Sequence, residues 1–173
     1  MIYIYFCYGG THSSCLAAAY HLKLLDEKRE PTKEEILSTP LFNQLVYGNI
    51  GELFYHGKDE AGDLVYTVGR GREKHMVPAL YNLATMLQNQ KILNERIAFS
   101  NTLPTVPIAM TFGGLFSRWL KIDFIGIPLL IKGAHQNYQN IIRLVKHTRK
   151  SLETSKSPII LLDNEEFKTG FMS

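Results

Sequence analysis

The chain opens with the stretch Met1-Ile-Tyr-Ile-Tyr-Phe-Cys7-Tyr-Gly9-Gly10-Thr-His12-Ser13-Ser14-Cys-Leu-Ala-Ala-Ala19, and this stretch decides the fold. Its β-branched and aromatic residues predict a strand, the two glycines predict a tight turn, and the alanines predict a helix. A strand, a glycine loop and a helix in direct succession are typical of the α/β class. Glycine lets an anion approach the backbone, and the N-terminus of a helix favours negative charge. The stretch therefore predicts an anion site of phosphate size.

Two residues of this loop, Cys7 and His12, carry reactive groups. Cys7 ends the predicted strand and faces a helix N-terminus, which makes it a candidate nucleophile; the alternative is a small buried hydrophobic residue. His12 is a candidate general acid or base, or a residue that hydrogen-bonds the loop. Glycine and serine are also ordinary turn residues, so the loop by itself fits a simple connection as well as a site.

Two known loops resemble this one. The loop of low-molecular-weight protein tyrosine phosphatases has the pattern Cys-x5-Arg-Ser; Cys7, Gly9 and Ser14 match it, while Ser13 stands where the arginine belongs. The phosphocysteine loop of sugar-phosphotransferase IIB domains, Cys-x-x-Gly-x-x-[Ser/Thr]-Ser, is matched at all its fixed positions by Cys7, Gly10, Ser13 and Ser14. Both resemblances imply phosphate at the loop and a cysteine that bonds to phosphorus. A serine cannot replace the two-point clamp of the arginine, which favours binding over catalysis.

The longer pattern resembles a family of uncharacterised proteins from spore-forming Firmicutes. The segments that carry this resemblance are 5–14, 17–22, 57–62 and the strand Val65-Tyr-Thr-Val-Gly69. The resemblance implies a bacterial cytosolic protein. It brings no established activity, so no functional residue is transferred from it.

Composition limits the possible function classes. The 173 residues are 45% hydrophobic and 20% charged, which predicts a single α/β domain over residues 1–173. A net charge of +3 does not indicate nucleic-acid binding. Two cysteines and no ligand-spaced histidines predict neither a disulfide framework nor a metal site, and we expect no cofactor. The chain shows no signal peptide, and its longest apolar run, 124–131, is too short to span a membrane, so we expect a cytoplasmic protein without a membrane partner.

Periodicity and turn residues predict alternating strands and helices along the chain. Strands are predicted at 2–7, within the hairpin 52–69, and at 96–100, 124–131 and 158–163. Helices are predicted at 14–25, 32–38, 78–90, 111–120 and 135–152. This order predicts a three-layer fold with a mostly parallel sheet, helices on both faces and one β-hairpin insertion. His21 is placed at an exposed or half-buried position of the first helix.

Ligands of open α/β sheets bind beyond the carboxyl ends of the strands, so the loops at that edge predict the site. The candidate anion-binding residues are Gly9, Gly10, Thr11, Ser13, Ser14, Arg70, Arg72, Asn101, Lys132 and His135. The last two follow the predicted strand 124–131, with His135 at the start of a helix. The alternative for the arginines is an ordinary solvated loop.

These observations predict a protein that binds a phosphorylated small molecule or a phosphoprotein at its first loop. The alternative is an enzyme of phosphoryl transfer or hydrolysis that uses Cys7 as nucleophile and loop amides to stabilise developing charge. Phe112, Phe116 and Trp119 are interpreted as core packing or as a dimer patch, which leaves a homo-oligomer open.

Overall fold

A computed structural model describes residues 1–169 of the chain, and within them five strands form one sheet. The strands are β1 (Ile2–Cys7), β2 (Leu53–Lys58), β3 (Leu64–Gly69), β4 (Ile97–Asn101) and β5 (Ile159–Leu162). Their order across the sheet is β2-β3-β1-β4-β5, with β2 antiparallel to β3 and the other four strands parallel. The mostly parallel sheet and the β-hairpin insertion predicted from the sequence are therefore confirmed.

Helices cover both faces of this sheet. The helices are α1 (Ser13–His21), α2 (Lys33–Ser38), α3 (Met76–Asn89), α4 (Ile108–Gly114) and α5 (Asp123–Thr154). Alternate residues of β1 point to opposite faces: Tyr3 and Tyr5 pack with α1 and α5, whereas Ile4 and Phe6 pack with α3. The three-layer α/β architecture is thus confirmed.

The predicted strand 124–131 is wrong, because these residues form the first turns of α5. The buried residues of this helix recur every three or four positions, beginning with Gly126, Leu130 and Gly133, which is a helical period. A short apolar run cannot by itself distinguish a buried strand from a buried helix. Pro128 is exposed inside the helix, where it costs one backbone hydrogen bond.

Small residues explain why this segment is a helix. A π-helical turn, Leu115–Trp119, continues α4, and together they pack antiparallel to the first half of α5. A Cβ added at Gly126 would lie 2.5 Å from the backbone nitrogen of Ser117, and one at Gly133 would lie 2.6 Å from the Cβ of Met110. Only glycine permits this approach of the two helices.

Two placements of single residues are also corrected. His21 is buried: its Nδ1 lies 2.8 Å from the hydroxyl of Tyr5, and its Nε2 lies 3.2 Å from Oδ2 of Asp59. The interpretation of Trp119 as core packing is wrong, since 76% of this residue is exposed. One side of α4 and of the π-helical turn after it is apolar and exposed, and the other side packs against α5.

Candidate functional site

The first loop packs against the carboxyl end of β3, because two glycines, Gly10 and Gly69, let the two backbones come together. Gly10 has a φ of +69°, and a Cβ there would lie 2.6 Å from the backbone nitrogen of Gly69. The N–H groups of Arg70 and Gly71 donate to the carbonyls of Cys7 and Tyr8 over 3.0 and 2.8 Å. The loop is thus held by β3 and does not project freely into solvent.

Cys7 lies beneath this loop with its sulfur already hydrogen-bonded. Only 5% of the residue is exposed. Its Sγ accepts from the N–H of Gly10 at 3.1 Å and lies 3.3 Å from the hydroxyl of Ser14. The neighbouring Cys15 is fully buried, and burial raises the pKa of its thiol well above the usual value. A substrate reaches the sulfur of Cys7 only after the loop moves.

The hydroxyl groups predicted to bind an anion bind parts of the protein. Ser13 and Thr102 lie with their hydroxyls 2.9 Å apart, and both Ser13 and Ser14 are fully buried. Thr11 donates to the carbonyl of Leu41 at 2.6 Å. These side chains hold the loop in place. In the described structure no side chain caps the N-terminus of α1, which leaves backbone N–H groups of the loop for an anion, although the N–H of Gly10 already donates to Cys7.

His12 ends a chain of hydrogen bonds that the sequence did not reveal. Its Nε2 lies 3.2 Å from Oδ1 of Asn43, the amide nitrogen of Asn43 donates to the hydroxyl of Ser117 at 2.7 Å, and Ser117 donates to Asp123. Burial lowers the pKa of His12 to about 4, so the ring is neutral at pH 7. The bond to Oδ1 then places the proton on Nε2 and leaves Nδ1 unprotonated. A Cβ at Gly114 would lie 3.4 Å from this Nδ1, so the ring packs against α4.

Three predicted residues do meet at the carboxyl edge of the sheet. Cys7 pairs with Gly69, directly before Arg70, and Asn101 pairs with Phe6, directly before Cys7. Arg70 and Asn101 also line a cavity of about 730 Å³, whose lining includes none of residues 8–14 of the first loop. The prediction that Cys7, Arg70 and Asn101 share one edge is confirmed.

Three other candidate residues lie elsewhere. Arg72 is exposed and does not line the cavity. Lys132 and His135 lie inside α5, so their predicted position in a loop after a strand, with His135 at a helix start, is wrong. The Nε2 of His135 lies 3.0 Å from the carbonyl of Pro31, which ties α5 to the chain before α2.

The cavity has polar residues that the sequence analysis missed. Gln136 and Asn140 of α5 line it, as do Glu165 and Lys168 after β5. Gln136 and Asn140 are four residues apart, which places them on one side of a helix. That spacing was visible in the sequence, but the sequence analysis predicted 124–131 as a strand and therefore did not place these two residues at the cavity. The remaining lining residues include Leu103, Pro104, Val106, Pro107 and Ile108.

Within residues 1–169 no three His, Cys, Asp or Glu side chains are grouped to hold a metal ion. None of the helices in this part of the chain is both long and apolar enough to cross a membrane.

A family model for proteins of unknown function (DUF3189) matches residues 2–150. No curated protein and no solved structure matches the chain.

Proposed function

The chain belongs to the DUF3189 family of proteins of unknown function, and we propose that it binds a phosphorylated small molecule at the carboxyl edge of its sheet. The observation that carries the proposal is the guanidinium of Arg70, which lines the cavity beside the glycine loop. Its hydrogen bond within the protein is a long one, 3.4 Å to the carbonyl of Gly71, and it makes no ion pair with any residue in 1–169. A guanidinium that lines a cavity and has no ion-pair partner suits a phosphate group.

The shape of the cavity favours a small molecule over a phosphoprotein. A volume of about 730 Å³ lies within the range of small-molecule sites. Apolar walls from Leu103 to Ile108 can hold the body of the ligand, and the amides of Asn101, Gln136 and Asn140 can orient it.

A second candidate function is transfer or hydrolysis of a phosphoryl group through Cys7. It is favoured by the two donors at its sulfur, the N–H of Gly10 and the hydroxyl of Ser14. In that reaction the thiolate forms a bond to phosphorus while the bond to the leaving oxygen breaks, and water later cleaves the S–P bond. His12, with Nδ1 unprotonated, supplies a base for that water.

We expect Arg70→Ala to weaken binding of a phosphorylated ligand about 10- to 100-fold, since hydrogen bonds to charged groups contribute about 1.5–3 kcal/mol. Thermal shift with a panel of phosphorylated metabolites and inorganic phosphate identifies a ligand, and titration calorimetry measures its affinity. Arg72→Ala is the control, because it removes the same charge outside the cavity. Equal losses in both variants, or no phosphorylated ligand in the panel, would contradict the proposal.

We expect Cys7→Ser to leave that affinity within about twofold, because the sulfur is covered and already bonded. Labelling with iodoacetamide at neutral pH should modify the native protein slowly and the denatured protein completely. Thermal melts accompany the assay, since a buried hydroxyl can cost roughly 1 kcal/mol of stability. Fast labelling of Cys7, or a phosphocysteine found by mass spectrometry, would favour the second candidate function instead.

We also propose that the protein acts in the cytosol of a spore-forming bacterium. Both cysteines are free and buried, as suits a reducing compartment. The origin rests on the resemblance of its segments 5–14 and 57–62 to proteins of those bacteria.

A further inference from the structure

α4 and the π-helical turn after it carry a row of apolar side chains on their outer side. The row, called the outer stripe here, consists of Ile108, Phe112, Leu115 and Trp119, which are 76%, 50%, 42% and 76% exposed. Met110, Gly113 and Ser117 lie on the opposite side and are buried. In a soluble protein a contiguous apolar face of this kind marks an interaction surface.

The charge pattern narrows the class of partner. Between Ile108 and Trp119 the one charged residue is Arg118, and its guanidinium donates to the backbone carbonyls of residues 43–45 of the same chain. A helix that lies on a membrane surface keeps lysine and arginine on the side opposite its apolar face. The opposite side of α4 is instead in contact with Gly126 and Gly133 of α5. The outer stripe therefore matches an apolar protein surface better than a lipid or nucleic-acid surface.

We infer that the outer stripe is the interface with a second copy of this chain. Successive residues of the outer stripe are four, three and four positions apart in the sequence, so their spacing is the same in either chain direction. A two-fold axis near Gly113 and Gly114 would place Ile108 opposite Trp119 and Phe112 opposite Leu115 in an antiparallel pair of helices. Such self-complementarity is what an isologous dimer requires, and the spacing suits a helix–helix seam.

The exposed apolar area is of the order that such a dimer buries. The outer stripe leaves about 500 Å² of apolar surface uncovered, given that a large aromatic side chain presents about 150–250 Å². Leu120 and Phe124 follow directly and are 46% and 82% exposed. Together these side chains approach the roughly 800 Å² per partner of a standard interface.

The dimer would also extend the proposed ligand site. Ile108 belongs both to the outer stripe and to the wall of the cavity. Trp119 of the second copy, opposite Ile108, would therefore lie at the rim of that cavity. This consequence rests on the proposed function, whereas the dimer itself does not.

Sedimentation equilibrium of the full chain tests the dimer directly. We expect the wild-type protein to dimerise at micromolar concentration and Phe112→Glu to raise the dissociation constant about 100-fold, as for a central interface residue. Leu83→Glu on α3 is the matched control, since Leu83 is 49% exposed and lies outside the outer stripe; it should leave the constant unchanged. Circular dichroism verifies that each variant is folded, and Ile108→Lys provides a second disruption.

Two further measurements distinguish a second copy of the chain from a membrane as the partner of the outer stripe. Trp119 is the single tryptophan, so its emission should shift to shorter wavelength as the protein dimerises. A mixture of Phe112→Cys and Leu115→Cys proteins should form a disulfide more readily than either alone, because these positions face each other only in the antiparallel pair. A monomeric wild type, a Phe112→Glu protein that dimerises like wild type, or a blue shift seen only with anionic phospholipid vesicles would each overturn the inference.

Discussion

Gly10→Ala is expected to lower the free energy of unfolding by about 3–4 kcal/mol, a large part of the 5–15 kcal/mol typical of a domain. Two costs add. Alanine is strained at the φ of +69°, and its Cβ would lie 2.6 Å from the backbone nitrogen of Gly69. Gly69→Ala, without the strained φ, should cost about 2–3 kcal/mol, because its Cβ would lie 2.7 Å from the carbonyl carbon of Gly9. Urea unfolding followed by circular dichroism measures both losses.

Gly9→Ala is the matched control in the same loop. Its Cβ would meet the Cγ2 of Thr11 at 3.6 Å, an ordinary contact, and its φ is not positive. We expect a change below about 1 kcal/mol for this variant. A loss at Gly9 equal to that at Gly10 would mean that the loop does not lie on β3 as described.

The loop illustrates what a sequence can and cannot predict about a site. The glycine pair, the strand before it and the helix after it were predictable, because each depends on residues adjacent in the chain. The contact of Gly10 with Gly69 was not, since it joins positions about sixty residues apart. The same limit explains why Ser13 was assigned to an anion although it bonds to Thr102.

The error at 124–131 has a different physical origin. Local propensity and a short apolar run were compatible with a strand. The helix forms because Gly126 and Gly133 let α4 approach closely, which is a tertiary effect. With that segment incorrect, Lys132 and His135 were placed at the sheet edge and the cavity residues Gln136 and Asn140 were overlooked. Arg70 and Asn101 were found because they depended only on strands that were correct.

Acid should destabilise the protein steeply between pH 6.5 and pH 4, and His21 should account for about 3 kcal/mol of the loss. Burial lowers the pKa of His21 to about 4, despite the hydrogen bond from its ring to Asp59. Burial alone would raise the pKa of Asp59, but hydrogen bonds from the N–H groups of Asp63 and Ala61 and from His21 bring it below its usual value. The folded protein thus keeps a neutral imidazole beside a charged carboxylate.

The direction of the effect follows from proton uptake. Between pH 6.5 and pH 4 the unfolded chain protonates His21 and the folded protein does not, so the unfolded state binds more protons and stability falls as pH falls. Burial also lowers the pKa values of His12 and His56 to about 4, so their effects have the same sign. Urea unfolding at several pH values measures the slope, and NMR titration measures the pKa of His21.

His21→Gln separates titration from packing. Glutamine can still donate to Asp59 but takes up no proton, so the pH slope between 6.5 and 4 should decrease by one proton even if stability at pH 7 also falls. His75→Gln is the control, because His75 is exposed and its side chain makes no hydrogen bond in the described structure. A slope that His21→Gln leaves unchanged would show that His21 is already protonated in the folded protein. The hydrogen bond between His21 of α1 and Asp59 of the β2–β3 hairpin would then join an imidazolium to a carboxylate.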